Sequence, residues 1–183
     1  MYKLSLNPKV TYSLDSLSNS LFNLLENSDL NDITITEICD YTDINRRTFY
    51  RNCDNIIDLV NYKIDKLVNE LLSLTDGKVN DDRKHFKILF DFWYKHKLFL
   101  VILKKQNLYS LFIQRFKMLY NKISHHFLEQ VSNNTPNIKN IKIYVNSFII
   151  GGVSSMLEAW AENDFNDSIE DLIEIGCSLI PEH

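Results

Sequence analysis

A chain of 183 residues with 45% hydrophobic and 24% charged residues carries enough apolar material for a folded core, which sets disorder aside. Only four Gly and three Pro are present, too few for the many tight turns of an all-β fold, so long helices are expected. The formal net charge of -4 means that overall basicity cannot supply affinity for an anionic partner.

Three cysteines, Cys39, Cys53 and Cys177, are widely spaced and form no C-x-x-C pair, which suggests neither a disulfide framework nor a zinc site. The N-terminus has no basic stretch followed by an apolar run, and the densest apolar segment, "LFLVILKK", is far short of the ~20 residues that span a bilayer. The expectation is a soluble cytoplasmic protein, away from membranes.

Taken in chain order, apolar residues recur at three- and four-residue steps, the helical period. Leu14, Leu17, Leu21 and Leu24 form the first stripe, and the polar "ENSDLND" ends it. Thr34 followed by Glu37 is a capping box, which predicts a short helix starting just after Thr34. Asp43 and Asn45 are turn and cap types, and a second short helix fits Arg46 to Asn52. Asn55 caps a longer helix with the stripe Ile57, Val60, Ile64, Leu67, Leu71 and Leu74, and "TDGKVNDD" reads as a loop between two modules. Three aromatic-rich helical segments follow, then the break "SNNTPN". The last two helices are "IKNIKIYVNSFIIGGVSSMLEAWAEN" and "SIEDLIEIGCSLI", the second capped by Asp167 or Ser168.

Two short helices joined by a tight turn, the second rich in Arg, Asn, Thr and Tyr, suggest a helix-turn-helix. Its second helix must enter the DNA major groove, where Arg can pair with guanine, Asn with adenine, and hydroxyls can bind phosphate. Residues 1–60 hold five cations against nine anions, yet three of those cations, Arg46, Arg47 and Arg51, share a six-residue window. Clustering rather than net charge would make the binding face, with the acids mostly on the far side. Charge alone leaves a second reading open, in which the arginines only solvate a surface.

"ITITEICDYTDINRRTFYRNCDNIIDLV" resembles the DNA-binding segment of the tetracycline-repressor (TetR/AcrR) family of bacterial regulators. Ile33, Thr34, Ile35, Ile38, Ile44, Thr48, Phe49 and Tyr50 fall on the family pattern. The resemblance implies an all-α fold of about nine helices, with a three-helix helix-turn-helix domain over residues 1–54. A helical ligand-binding and dimerisation domain would cover residues 55–183, with the helix over 55–74 as connector. It places DNA contacts on Thr34, Asn45, Arg46, Arg47, Thr48, Tyr50 and Arg51. Asn52 and Cys53 stand where the family has His or Tyr and Phe, and Ile56 stands where it has a phosphate-anchoring Lys. The segment from Tyr144 to the last helix is also similar to a Firmicutes subgroup that includes dihydroxyacetone-kinase regulators, some of them coactivators.

In the larger half, Phe86, Phe90, Trp93, Phe99, Phe112, Phe116 and Tyr120 recur at helical spacing, as core stripes do. The resemblance adds that some line a pocket for a small-molecule effector of unknown identity; Phe90, Trp93, Tyr94, Phe112, Phe116 and Phe148 are the candidates. His125 and His126 are adjacent, so on a helix they point about 100° apart and cannot share a metal. No Ser-His-Asp set, phosphate loop or H-E-x-x-H occurs, and neither an enzyme, a metal nor a cofactor is expected. Gly151 and Gly152 in mid-helix each cost about 0.8–1 kcal/mol relative to Ala, which calls for close approach of another helix. With Ser155 on the eighth helix and Ile169, Leu172, Ile173 and Gly176 on the ninth, they predict a homodimer interface; packing inside one subunit is the alternative. The expected function is a sequence-specific, ligand-responsive repressor, homodimeric on a palindromic operator in double-stranded DNA. The alternative is a coactivator of this fold with weak or lost DNA binding.

Overall fold

The computed structural model describes Tyr2 and residues 7–75, 81–119 and 141–179, within which every regular element is helical. Tyr120, His125, His126 and the break "SNNTPN" lie outside the described residues, as does most of "TDGKVNDD". The helices are α1 (Pro8–Leu25), α2 (Ile35–Asp40), α3 (Arg46–Asn52), α4 (Ile56–Thr75), α5 (Asp82–Lys95), α6 (Lys97–Lys105), α7 (Tyr109–Leu119), α8 (Ile141–Glu162) and α9 (Ile169–Ser178), with a 3-10 turn at Leu30–Asp32. The all-helical expectation therefore holds, with nine α-helices among the described residues. No described helix is long and apolar enough to cross a membrane.

Local chemistry starts the helices where the side chains prescribe. Asn7 caps α1 by accepting from the Lys9 N–H at 3.0 Å, and Pro8 occupies the first helical position, where no N–H is needed. Ser168 settles the choice of cap for α9, accepting from the Asp171 N–H at 3.1 Å.

The chain forms two compact units. The first contains Met1–Leu67 and, from far along the sequence, Val101–Arg115. In it α1 packs on both α2 and α3, and Leu14, Leu17, Leu21, Leu25, Ile38 and Phe49 are almost wholly excluded from water. A buried polar knot also joins distant segments of this unit. Asp65 on α4 accepts from Nε and Nη2 of Arg115 on α7 and from the Tyr2 hydroxyl. Tyr2 meets Tyr62 edge-on, with ring centroids 5.4 Å apart.

The second unit contains Val68–Leu100 and Phe116–His183. Its described core is aromatic. Phe90 and Trp160 meet edge-on at 5.9 Å, Trp160 and Phe165 at 5.0 Å, and Trp93 and Phe116 at 6.1 Å. Helix α9 lies against α5, and Gly176 is what lets it come close: a Cβ there would sit 3.0 Å from the Phe86 ring.

Candidate nucleic-acid interface

The helix-turn-helix is assembled from short-range bonds. The Thr34 hydroxyl accepts from the Glu37 N–H at 3.2 Å, and the Glu37 carboxylate accepts from the Thr34 N–H at 2.7 Å, closing the capping box of α2. The Thr34 hydroxyl also donates to that carboxylate at 2.7 Å. These bonds hold the Glu37 carboxyl below its usual range, so the helix opens on an exposed, firmly ionised anion. Helix α2 ends with Thr42 donating to the carbonyls of Ile38 and Cys39 at 3.3 and 3.1 Å. Ser20 of α1 donates to the same Ile38 carbonyl at 3.2 Å, fixing α2 on its support. The turn then passes through Asp43 at φ 54, a left-handed conformation that Asp tolerates better than most residues.

Asn45 caps α3, its side-chain oxygen accepting from the Thr48 N–H at 2.9 Å. Over about two turns, α3 sorts its residues by face. Phe49 is fully buried, Asn52 is buried with its amide donating to the Thr48 carbonyl at 3.0 Å, and Cys53 closes the helix inside the core. The opposite face presents Arg46, Arg47, Tyr50 and Arg51, all exposed. No hydrogen bond or ion pair with another described residue occupies their guanidinium groups. Burial and the nearby Asp58 carboxylate push the Cys53 thiol up to about 12, so it packs as a neutral apolar group rather than a reactive one.

Each sequence-predicted contact can now be placed. Asn45, Arg46, Arg47, Tyr50 and Arg51 lie together on or beside the outer face of α3, and Thr48 is half-buried at its edge. Thr34 is exposed at the start of α2 with its hydroxyl engaged in the capping box. The acids are not cleared away: Glu37, Asp40, Asp43 and Asp54 are exposed in or next to the same motif. Sequence reasoning passed over Tyr41, which stands 64% exposed at the end of α2, beside the turn. Its only sequence signal was an aromatic ring where the turn leaves nothing to cover it.

The remaining candidates separate by burial. Phe90, Trp93, Phe112 and Phe116 are wholly buried, whereas Phe148 is 74% exposed. Tyr94 keeps partial exposure, stacking on Trp160 at 5.5 Å with the Lys97 ammonium 4.6 Å from its ring centre. Of the small and apolar residues on the last two helices, Leu172, Ile173 and Gly176 are buried within the subunit, and Ile169 is half-buried. Gly152 and Ser155 are exposed and Gly151 half-buried; a Cβ at either glycine would meet no described residue within 4 Å. Tyr144, Phe148, Gly152, Ser155 and Ala159 thus follow one another along the exposed side of α8 at helical spacing.

Residues 80–182 match a family model, TetR_C_8, described as a transcriptional regulator C-terminal region. Two solved structures share the fold. One is titled "Dihydroxyacetone kinase operon activator DhaS" (14% identity, TM-score 0.62, covering 93% of this chain and 94% of that one). The other is titled as a structural analysis of the fatty acid degradation regulator FadR from Bacillus halodurans (17% identity, TM-score 0.60, covering 91% and 96%). No curated protein matches the chain by sequence.

Proposed function

We propose that this chain, which belongs to the TetR family of transcriptional regulators, binds operator DNA sequence-specifically as a homodimer and represses transcription until an effector binds. The observation that carries the reading is the outer face of α3. Three guanidinium groups and a tyrosine hydroxyl project from a helix anchored beneath by Phe49 and Asn52, with no internal ion pair among the described residues to occupy the arginines. A helix so anchored can enter a major groove with Arg46 and Arg47 against base edges, while Tyr50 and Arg51 reach phosphates. Two copies reach successive grooves about 34–36 Å apart only if a dimer holds them.

The dimer interface proposed here uses the outward side of α8, where Gly151, Gly152 and Ser155 lie beside Tyr144 and Phe148, with Ile169 at its margin. Leu172, Ile173 and Gly176 of α9, buried in the subunit on the helix that packs against α5, would hold Ile169 in place. Close approach of a partner helix is what two mid-helix glycines with no described residue over them would allow. The effector would sit among the buried aromatic residues of the second unit, Phe90, Trp93 and Phe116, with Tyr94 at its rim.

A second reading follows from the four exposed acids of the motif and from Ile56, which carries no charge at the start of α4. They favour a coactivator with weak DNA affinity, and one structural neighbour is titled an operon activator. A mobility shift with a duplex enriched from a random pool separates the two. Arg46→Ala or Arg47→Ala should relax sequence preference, and Tyr50→Phe should weaken all duplexes evenly. If the three variants bind as the unaltered protein does, the assignment of α3 as the reading helix is wrong.

A further inference from the structure

Gln106 makes three side-chain bonds that neither the reading helix nor the dimer requires. It stands at the end of α6, where Leu108 donates to the Leu103 carbonyl at 2.7 Å and Asn107 to the Lys104 carbonyl at 3.0 Å. Asn107 takes φ 57 to make this possible. The double bond pattern with a left-handed residue after the cap is a Schellman end, which holds the Gln106 backbone firmly. Its carboxamide then meets the link between α1 and the 3-10 turn. The Nε2 group donates to the Ser28 carbonyl at 3.0 Å and, more weakly, to the Leu25 carbonyl at 3.5 Å. Oε1 accepts from the Leu30 N–H at 2.9 Å. Next to it, the Lys105 ammonium donates to the Glu26 carbonyl at 3.1 Å.

The Leu25 and Glu26 carbonyls are groups a helix end leaves unsatisfied, the Ser28 carbonyl belongs to the link that follows, and the Leu30 N–H is the first of the next turn. The link they belong to delivers the chain to Thr34 and hence to α2, which packs on α1 and α3. A residue 54 positions beyond Asn52 in sequence thereby reinforces an end that local side chains leave uncapped: among the described residues α1 has no basic residue in its last turn, and the Glu26 N–H turns back to the Leu24 carbonyl. We propose that Gln106 is a positioning residue for DNA recognition, fixing the path from α1 into the helix-turn-helix through its carboxamide. The inference rests on the DNA-binding reading above. It assigns Gln106 no contact with DNA.

Two variants test it, with a duplex that the wild-type protein enriches from a random pool. Gln106→Met keeps the length and removes all three bonds; Gln106→Glu keeps the acceptor and loses the donor. At about pH 8 the glutamate carboxylate would face two carbonyl oxygens, which disfavour its charged form and raise its pKa above the ordinary ~4.3, so that as pH falls toward about 5 protonation restores an O–H donor. The other titratable groups on the two bridged segments, Glu26, Asp29, Asp32, Lys104 and Lys105, are common to all three proteins, so the ratio to wild type isolates position 106. Gln106→Met should bind about tenfold more weakly, with faster hydrogen exchange at the Leu30 amide. Gln106→Glu should bind about tenfold more weakly at the higher pH and recover to within about threefold at the lower one. A lost melting temperature alone would not produce that pH-dependent ratio. Wild-type binding by a folded Gln106→Met, or a Gln106→Glu ratio flat with pH, overturns the inference and leaves the DNA-binding reading standing. Should Gln106→Met not fold, the Gln106→Glu ratio decides. Failure of the wild-type protein to enrich any duplex overturns both.

Discussion

Removing the charge of Asp65 should be among the most damaging single changes in the first unit. Its carboxylate accepts from two nitrogens of Arg115 and from the Tyr2 hydroxyl, and the two charged side chains keep only 10% and 16% of their exposure. Asp65→Asn would leave the guanidinium desolvated and unmatched. Breaking one side of a buried pair costs about 3–5 kcal/mol, and the residual exposure of Arg115 puts this case near about 3. That is a large share of the ~5–15 kcal/mol that separates native from unfolded proteins. Arg115→Met should cost a similar amount by stranding Asp65. Combining Asp65→Asn with Arg115→Met removes both charges, keeps an acceptor for the Tyr2 hydroxyl, and should return to within about 1–2 kcal/mol of the wild type, because neither charge is then left buried without its partner. Urea unfolding at one fixed protomer concentration measures all of this, the fixed concentration being necessary for any protein that dimerises. If the double variant loses the sum of the single losses, the pair is not coupled and the argument fails.

Four further predictions concern charge and packing. Burial pushes the His85 imidazole down to about 4, so between about pH 6.5 and pH 4 the unfolded chain binds the extra proton. Stability should therefore be fully present above that window and fall by about 2 kcal/mol as pH drops through it; His85→Gln should flatten the fall in a pH series of urea midpoints. Asp43→Asn keeps a residue that accepts φ 54 while removing an exposed anion from the helix-turn-helix. Duplex affinity should rise about threefold at low salt and converge with wild type at high salt, as fluorescence anisotropy would report. Gly152→Leu should gain helix propensity within the subunit yet weaken self-association in sedimentation, since no described residue of the chain lies within 4 Å of that Cβ. Gly176→Ala should instead lower the melting temperature with no change in self-association, because its Cβ would press on Phe86.

Much of the helix-turn-helix was legible because its determinants are local. The Thr34–Glu37 box and the Asn45 cap are bonds between residues three apart, so the order of side chains predicts them directly. Likewise the spacing of Leu14, Leu17 and Leu21 marked a buried face before any partner was visible. The ends of the stripes were less legible. Leu25 rather than Leu24 closes the buried face of α1, and Leu74 is 47% exposed although it continues the period of α4. Periodicity says which side of a helix is apolar and is silent on where the covering element stops.

The amino-acid order by itself determined the helices, their caps and the face of α3 that carries three arginines, since each follows from the 3.6-residue period and bonds closed within one turn. Only tertiary structure decided which apolar faces meet. Leu172, Ile173 and Gly176 had the pattern of an intersubunit surface, and they turned out to be buried inside the subunit, in the helix that packs on α5. The Asp65–Arg115 pair and the Gln106 cap join segments 50 and more than 75 residues apart. Such contacts leave no trace in spacing, because a long-range bond depends on how the intervening helices pack and not on the residues beside either partner.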